Sequence, residues 1–191
     1  PPEITVAMAP SSLRLRPPAS GCTLKVVRPK REPVGPGQES VWDYPRPPIV
    51  VASDDLVRVT HNGHLLAESK RTLRVLETSH APAYYIPAGD VDWSFLTETD
   101  HRTMCEYKGV ASYADLRQPG FPGVARVGWF YADPNPGYEA ITNAVCFYPQ
   151  RVDLCEVAGE AVTPLPGSFY GDWPTSRIAG PYKGGPGTEW W

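Results

Sequence analysis

The chain lacks any apolar run near the ~18 residues a membrane-spanning helix needs. The longest, Pro47-Pro48-Ile49-Val50-Val51-Ala52, stops at Ser53. No charged segment leads into an apolar one near the start, so no secretory signal is read there. Cysteine is scarce. Cys22, Cys105, Cys146 and Cys155 are irregularly spaced and include no C-x-x-C, which argues against a zinc ribbon and a dense disulfide framework. A reduced, cytoplasmic protein is the expectation, with no metal. Charge excess is also missing: a net charge of −3 gives no reason to expect a polyanionic partner, and neither nucleic acid nor membrane is expected.

Several catalytic signatures are absent as well. There is no G-x-x-x-x-G-K-[ST] and no paired Asp-x-Asp, whereas nucleotidyl transfer needs a phosphate-holding loop and carboxylates on a metal. Gly180-Pro181-Tyr182-Lys183-Gly184-Gly185 is too rich in proline and too irregular for a phosphate cradle. A dinucleotide fingerprint, H-E-x-x-H and G-x-S-x-G are also missing, which removes the common hydride-transfer, zincin and esterase readings. No internal repeat is present.

What the chain has in abundance is proline, 23 in 191 residues, and each one fixes φ and removes a backbone donor. Long helices are therefore excluded, and the length suits one domain with one core. Residues 1–40 form a Pro-rich basic arm carrying Arg14, Arg16, Lys25, Arg28, Lys30 and Arg31. Without interleaved aromatics it reads as a solvated tail wrapped on the domain rather than a nucleic-acid arm. The domain occupies residues 41–191, and Val41-Trp42-Asp43-Tyr44-Pro45 brings the first large rings to it.

Val57–His61 and His64–Glu68 flank Asn62-Gly63, a pair that tolerates the positive φ values of a tight hairpin turn. His61 and His64 would face each other there, but no further ligands accompany them, so an exposed hairpin tip is expected. Lys70–Leu76 reads as a strand delivering Glu77. Pro82 and Pro87 bracket a short edge strand in which one of Tyr84 and Tyr85 points inward. Asp90–Asp100 reads as a loop or short helical turn, and Glu106–Leu116 as a strand with a bulge or close backbone approach at Gly109. Val124–Tyr131, Val145–Tyr148 and Val152–Val157 are further strands, with a turn at Ala158-Gly159-Glu160. Pro136–Asn143 is the one candidate helix. The tail, 164–191, carries Tyr170, Trp173, Tyr182, Trp190 and Trp191 and should pack back on the core.

Glu39–Pro45, Val75–Pro87, Cys105-Glu106-Tyr107-Lys108-Gly109, Ala144–Asp153 with Phe147-Tyr148-Pro149, and the tail from Gly167 to Gly187 together resemble the domain-of-unknown-function family 427. That family at times carries a nucleotidyltransferase label, which the missing motifs do not support. The resemblance covers residues 28–191. It implies a mainly β, compact β-tent-like sandwich of antiparallel sheets, akin to methionine sulfoxide reductase B and the thalidomide-binding domain of cereblon. Metal-binding relatives of that fold carry paired C-x-x-C knuckles, which this chain lacks. It also departs from the family pattern at Asp172 (in place of glycine), Arg177 (in place of an acid) and Glu189-Trp190.

The residues that carry chemistry cluster in Arg74–Pro87 and Cys105–Lys108. A carboxylate and an ammonium under apolar cover shift each other's proton affinity and can serve as base and acid; the same pair can equally be a structural ion pair. The expected function is a cofactor-free small-molecule enzyme of the isomerase, lyase or hydrolase type. Glu77 is its base, Lys108 and Tyr85 stabilise negative charge, and Arg74 holds an anionic group. His80, Tyr84, Cys105, Tyr107, Trp129, Tyr170, Trp173 and Lys183 complete the expected pocket. The alternatives are a non-catalytic module binding a small organic molecule and a protein-interaction domain. A homodimer is compatible with either.

Overall fold

The computed structural model describes residues 29–185, 187 and 188; most of the basic arm, Cys22 and Glu189–Trp191 lie outside the described residues. Its strands are β1 (Glu39–Ser40), β2 (Ile49–Ser53), β3 (Val57–His61), β4 (His64–Ser69), β5 (Thr72–Leu76) and β6 (Ala83–Tyr85). β7 (Leu96–Cys105), β8 (Gly109–Leu116) and β9 (Val124–Phe130) follow as a meander. β10 (Cys146–Phe147), β11 (Leu154–Val157), β12 (Glu160–Ala161) and β13 (Ile178–Ala179) complete the set. Among the described residues the only helical elements are three-residue 3₁₀ turns, so the protein is mainly β, and no helix is long and apolar enough to cross a membrane.

Three antiparallel sheets carry the architecture, in the orders β2-β5-β6, β12-β11-β3-β4 and β10-β9-β8-β7. A short parallel pair, β1 with β13, ties the start of the domain to its tail. The largest core contains Val57, Val59, Leu66, Tyr84, Leu116, Phe147 and Trp173. A second core, built on Tyr85, Tyr113, Tyr131, Ile141 and Cys146, lies under the candidate site. Ile86 and Val145 exchange both backbone hydrogen bonds at 2.8 Å, fastening β6 to the segment leading into β10.

The Asn-Gly hairpin forms as expected. Asn62 (φ 48°) and Gly63 (φ 73°) close it, and His61 pairs with His64. His64 stacks on Phe95, ring centroids 5.1 Å apart. Gly109 is the close approach rather than a bulge: at φ 93° it closes the β7–β8 turn, where Cys105 pairs with it, and a Cβ there would sit 3.0 Å from Asn135 Oδ1 and 3.4 Å from its backbone N. Two local expectations need correction. Asp90–Asp100 holds a short helical turn at Trp93–Phe95, but its end is strand, since β7 begins at Leu96. Pro136–Asn143 yields only the 3₁₀ turn Glu139–Ile141, because Tyr138 donates its hydroxyl to the Pro48 carbonyl at 2.8 Å and Asn143 turns out at φ 57°.

The tail docks as its aromatic content predicts. Trp173 is fully buried; its backbone N–H bonds the Pro82 carbonyl and its indole N–H the Phe147 carbonyl, both at 2.9 Å. Gln150 adds bonds to the carbonyls of Leu165 and Tyr170.

Candidate functional site

Side chains alternate across a strand, and this parity assembles the site. Val75 and Glu77, Ala83 and Tyr85, Thr103 and Cys105, Ala111 and Tyr113, and Trp129 and Tyr131 all turn toward one cleft of about 680 Å³. The β7–β8 turn adds Tyr107 and Lys108 to its wall, and the tail adds Tyr170, Asp172 and Lys183. Clefts of this size suit a small organic ligand.

The same parity removes two expected members. Arg74 and Tyr84 are cross-strand partners on β5 and β6, and both face away from the cleft. Arg74 bonds the Glu39 carboxylate at 2.9 Å, its guanidinium 5.9 Å from the centre of the Tyr84 ring. It holds the first strand of the domain, not a ligand. Tyr84 is buried in the main core together with Trp173, the third residue expected in the pocket and absent from its wall. One inward and one outward tyrosine was the expectation; alternation holds, but both faces of β6 are covered, so both rings are buried. Glu77, His80, Tyr85, Cys105, Tyr107, Lys108, Trp129, Tyr170 and Lys183 do share the cleft.

Glu77 and Lys108 therefore line one cavity, but Glu77 has a different ionic partner: its Oε1 lies 3.3 Å from Arg46 Nε. Lys108 is only 9% exposed, and among the described residues no carboxylate lies within ion-pair distance of it. Burial, and after it the Asp172 charge, push the Cys146 thiol beneath the cleft upward, and the Lys108 charge pulls it slightly back.

The feature that sequence reasoning missed as a site is a histidine–carboxylate pair. His80 Nδ1 lies 2.9 Å from Asp172 Oδ2, with side chains 13% and 12% exposed. An ionised carboxylate can only accept, so Nδ1 carries a proton, and whenever the ring is neutral Nε2 is the nitrogen with the lone pair. Tyr170 packs on the imidazole, centroids 5.1 Å apart, and the Lys183 ammonium lies 5.9 Å from the centre of the Tyr170 ring. No local pattern signals the pair, because its members stand 92 positions apart. Arg177, also in the tail, pairs with Asp55 at 2.7 Å, away from the cleft.

Local backbone explains how the pair meets. Ser79, at φ 71°, turns the chain after Glu77. Its N–H bonds the Val41 carbonyl at 3.0 Å, and its carbonyl accepts from the Lys183 N–H at 2.8 Å. With the Trp173–Pro82 bond on the far side, residues 77–82 are clasped by the tail at two points. Gly171 allows this approach, because a Cβ there would sit 2.6 Å from the Trp129 ring.

The floor is phenolic. Burial pushes the Tyr85 hydroxyl well up, and burial with the neighbouring Cys105 does the same for Tyr131. Both remain proton donors at neutral pH. Tyr85 accepts from Trp129 Nε1 at 3.0 Å, which leaves its own O–H to donate. Cys105 accepts from the Tyr131 hydroxyl and receives the weak Lys108 N–H contact at 3.5 Å. Arg151, over the Tyr148 ring at 4.2 Å, donates to the carbonyls of Ala125, Arg126 and Ser168. Among the described residues no three of His, Cys, Asp and Glu gather as a metal ligand set.

No curated protein matches the chain. Residues 49–158, more than half of it, match the model of the family described as domain of unknown function DUF427, and the protein belongs to that family.

Proposed function

We propose that the protein is a small-molecule enzyme that moves protons within this cleft. The observation that carries the reading is the His80–Asp172 pair, largely buried and 2.9 Å apart, on the wall of the cavity that also holds Lys108. A general base needs a free lone pair and a fixed orientation. Asp172 fixes the His80 ring through Nδ1 and leaves Nε2 to take a substrate proton. Lys108, with the Tyr85 and Tyr131 hydroxyls behind it, faces the electron density released by that transfer.

Glu77 was the base expected from the sequence. Its pairing with Arg46 makes it the weaker candidate, and His80 takes the role here, with Glu77 as a second proton carrier on the same wall. Proton transfer of this kind serves isomerisation, elimination, cyclisation or hydrolysis.

The test is incubation of the purified protein with a metabolite extract, followed by mass spectrometry of the small molecules. One mass should fall while another rises. His80→Gln should abolish the change with its melting temperature within a few degrees of wild type. A small molecule retained by the wild-type protein but never converted would overturn catalysis in favour of a binding module.

A further inference from the structure

The charges around the cleft do not balance, and the imbalance specifies a ligand. Of its three acids, Glu77 is matched by Arg46, and Asp172 accepts a hydrogen bond from the neutral His80 ring without losing its charge. The third, Glu106, is exposed to solvent. Against these stand four cations on the same wall: Lys108, with no carboxylate in ion-pair range among the described residues, Arg151, whose guanidinium is held by neutral carbonyl oxygens, and, nearer the rim, Arg126 and Lys183. Burial covers the Lys108 stem, while its ammonium opens onto the cleft, where a bound anion supplies the counter-charge that no side chain does.

The shape and walls narrow the anion. Tyr107 and Trp129 present half-buried ring surface to the cavity, and its floor is Tyr85 and Tyr131, surfaces that favour a flat π-system. The buried part offers one ammonium and the tyrosine hydroxyls. Oxyanion groups of higher charge favour a planar guanidinium fork or a nest of backbone N–H groups, and the Arg151 fork is already occupied. One negative charge fits.

We propose that the ligand is a planar monoanion, an aromatic or conjugated carboxylate, with its carboxylate on Lys108 and its ring against Trp129 and Tyr107. This rests on the reading of the cleft as the site of action and names its substrate class. Lys108 then does what the sequence assigned to Arg74.

Isothermal titration calorimetry with three probes tests it: 2-naphthoate, its neutral amide 2-naphthamide, and phenyl phosphate. The wild-type protein should bind 2-naphthoate at least tenfold more tightly than either of the others. Lys108→Met should abolish the preference over the amide, and Lys108→Arg should keep most of it; circular dichroism confirms that both variants fold. Equal affinity for acid and amide in the wild type, tighter binding of phenyl phosphate, or an undiminished preference in Lys108→Met would overturn the proposal. Because no turnover enters the measurement, the two readings fail separately. Lost carboxylate preference sinks the ligand class alone, whereas Lys108-dependent binding beside a metabolite extract that is never converted sinks catalysis alone.

Discussion

At the scale of single residues, Asp172 sets the chemical state of His80. Removing it frees Nδ1, and a neutral imidazole in water favours a proton on Nε2. In Asp172→Ala, ¹⁵N NMR of the histidine side chains should therefore show His80 changing from the Nδ1–H to the Nε2–H form. An unchanged tautomer would show that the carboxylate does not fix the ring. The cysteines make a second residue-level prediction. Burial pushes the Cys146 thiol well up and raises Cys155 too, so neither supplies a thiolate at neutral pH. Cys105 is partly exposed at the cleft. Alkylation of the native protein, read by peptide mass spectrometry, should label Cys105 and spare Cys146 and Cys155 until unfolding.

At the scale of elements, two glycines answer to different constraints. Gly63 occupies a left-handed turn position with open space around it (φ 73°), so Gly63→Ala should cost about 1 kcal/mol through backbone strain alone. Gly171 needs room for the Trp129 and Tyr148 rings. Gly171→Ala should cost roughly 1–3 kcal/mol as an overpacked contact, and it should also displace Asp172 from His80. Urea unfolding gives both costs, and the His80 signals should move only in the second variant. These elements also show what could be read in advance. The Asn62-Gly63 hairpin and the parity placing Val75, Glu77, Ala83 and Tyr85 on one face are local rules written in adjacent residues. β7 was legible only in part, because it is an edge strand exposed along most of its length and shows no apolar alternation. Arg74 looked like a site residue because it neighbours Glu77 in composition, yet in a strand three residues apart means opposite faces. His80 and Asp172, 92 positions apart, are joined by tail docking that no local pattern encodes.

At the scale of the whole molecule, the carboxylates set the response to acid. The Arg71 guanidinium, with the Ser69 hydroxyl, holds Asp90 below its ordinary 3.8, and the Arg177 guanidinium holds Asp55 below the same value against the opposing effect of burial. A carboxyl lowered on folding binds fewer protons in the native than in the unfolded chain. Its contribution is complete above the ordinary carboxylate range and is lost as pH falls through the native value. Unfolding midpoints should therefore drop as pH is lowered from about 5 toward 2, and the Asp55→Asn/Asp90→Asn double variant should show a shallower drop from a lower start. The tail also belongs to this scale, since the family match ends at residue 158 while Asp172 and Lys183 complete the cleft.

The clasp of the tail over Ser79 and Pro82 has a consequence for biosynthesis. A nascent chain that has emerged only as far as β12 already holds every partner strand of its three larger sheets, yet it has no histidine–aspartate couple and no Lys183 beside Ser79. The histidine–aspartate couple thus arrives last, after most of the scaffold can already pair. A protein clipped between Ala161 and Tyr170 would be a near-complete β framework in which His80 has no Asp172 to orient it.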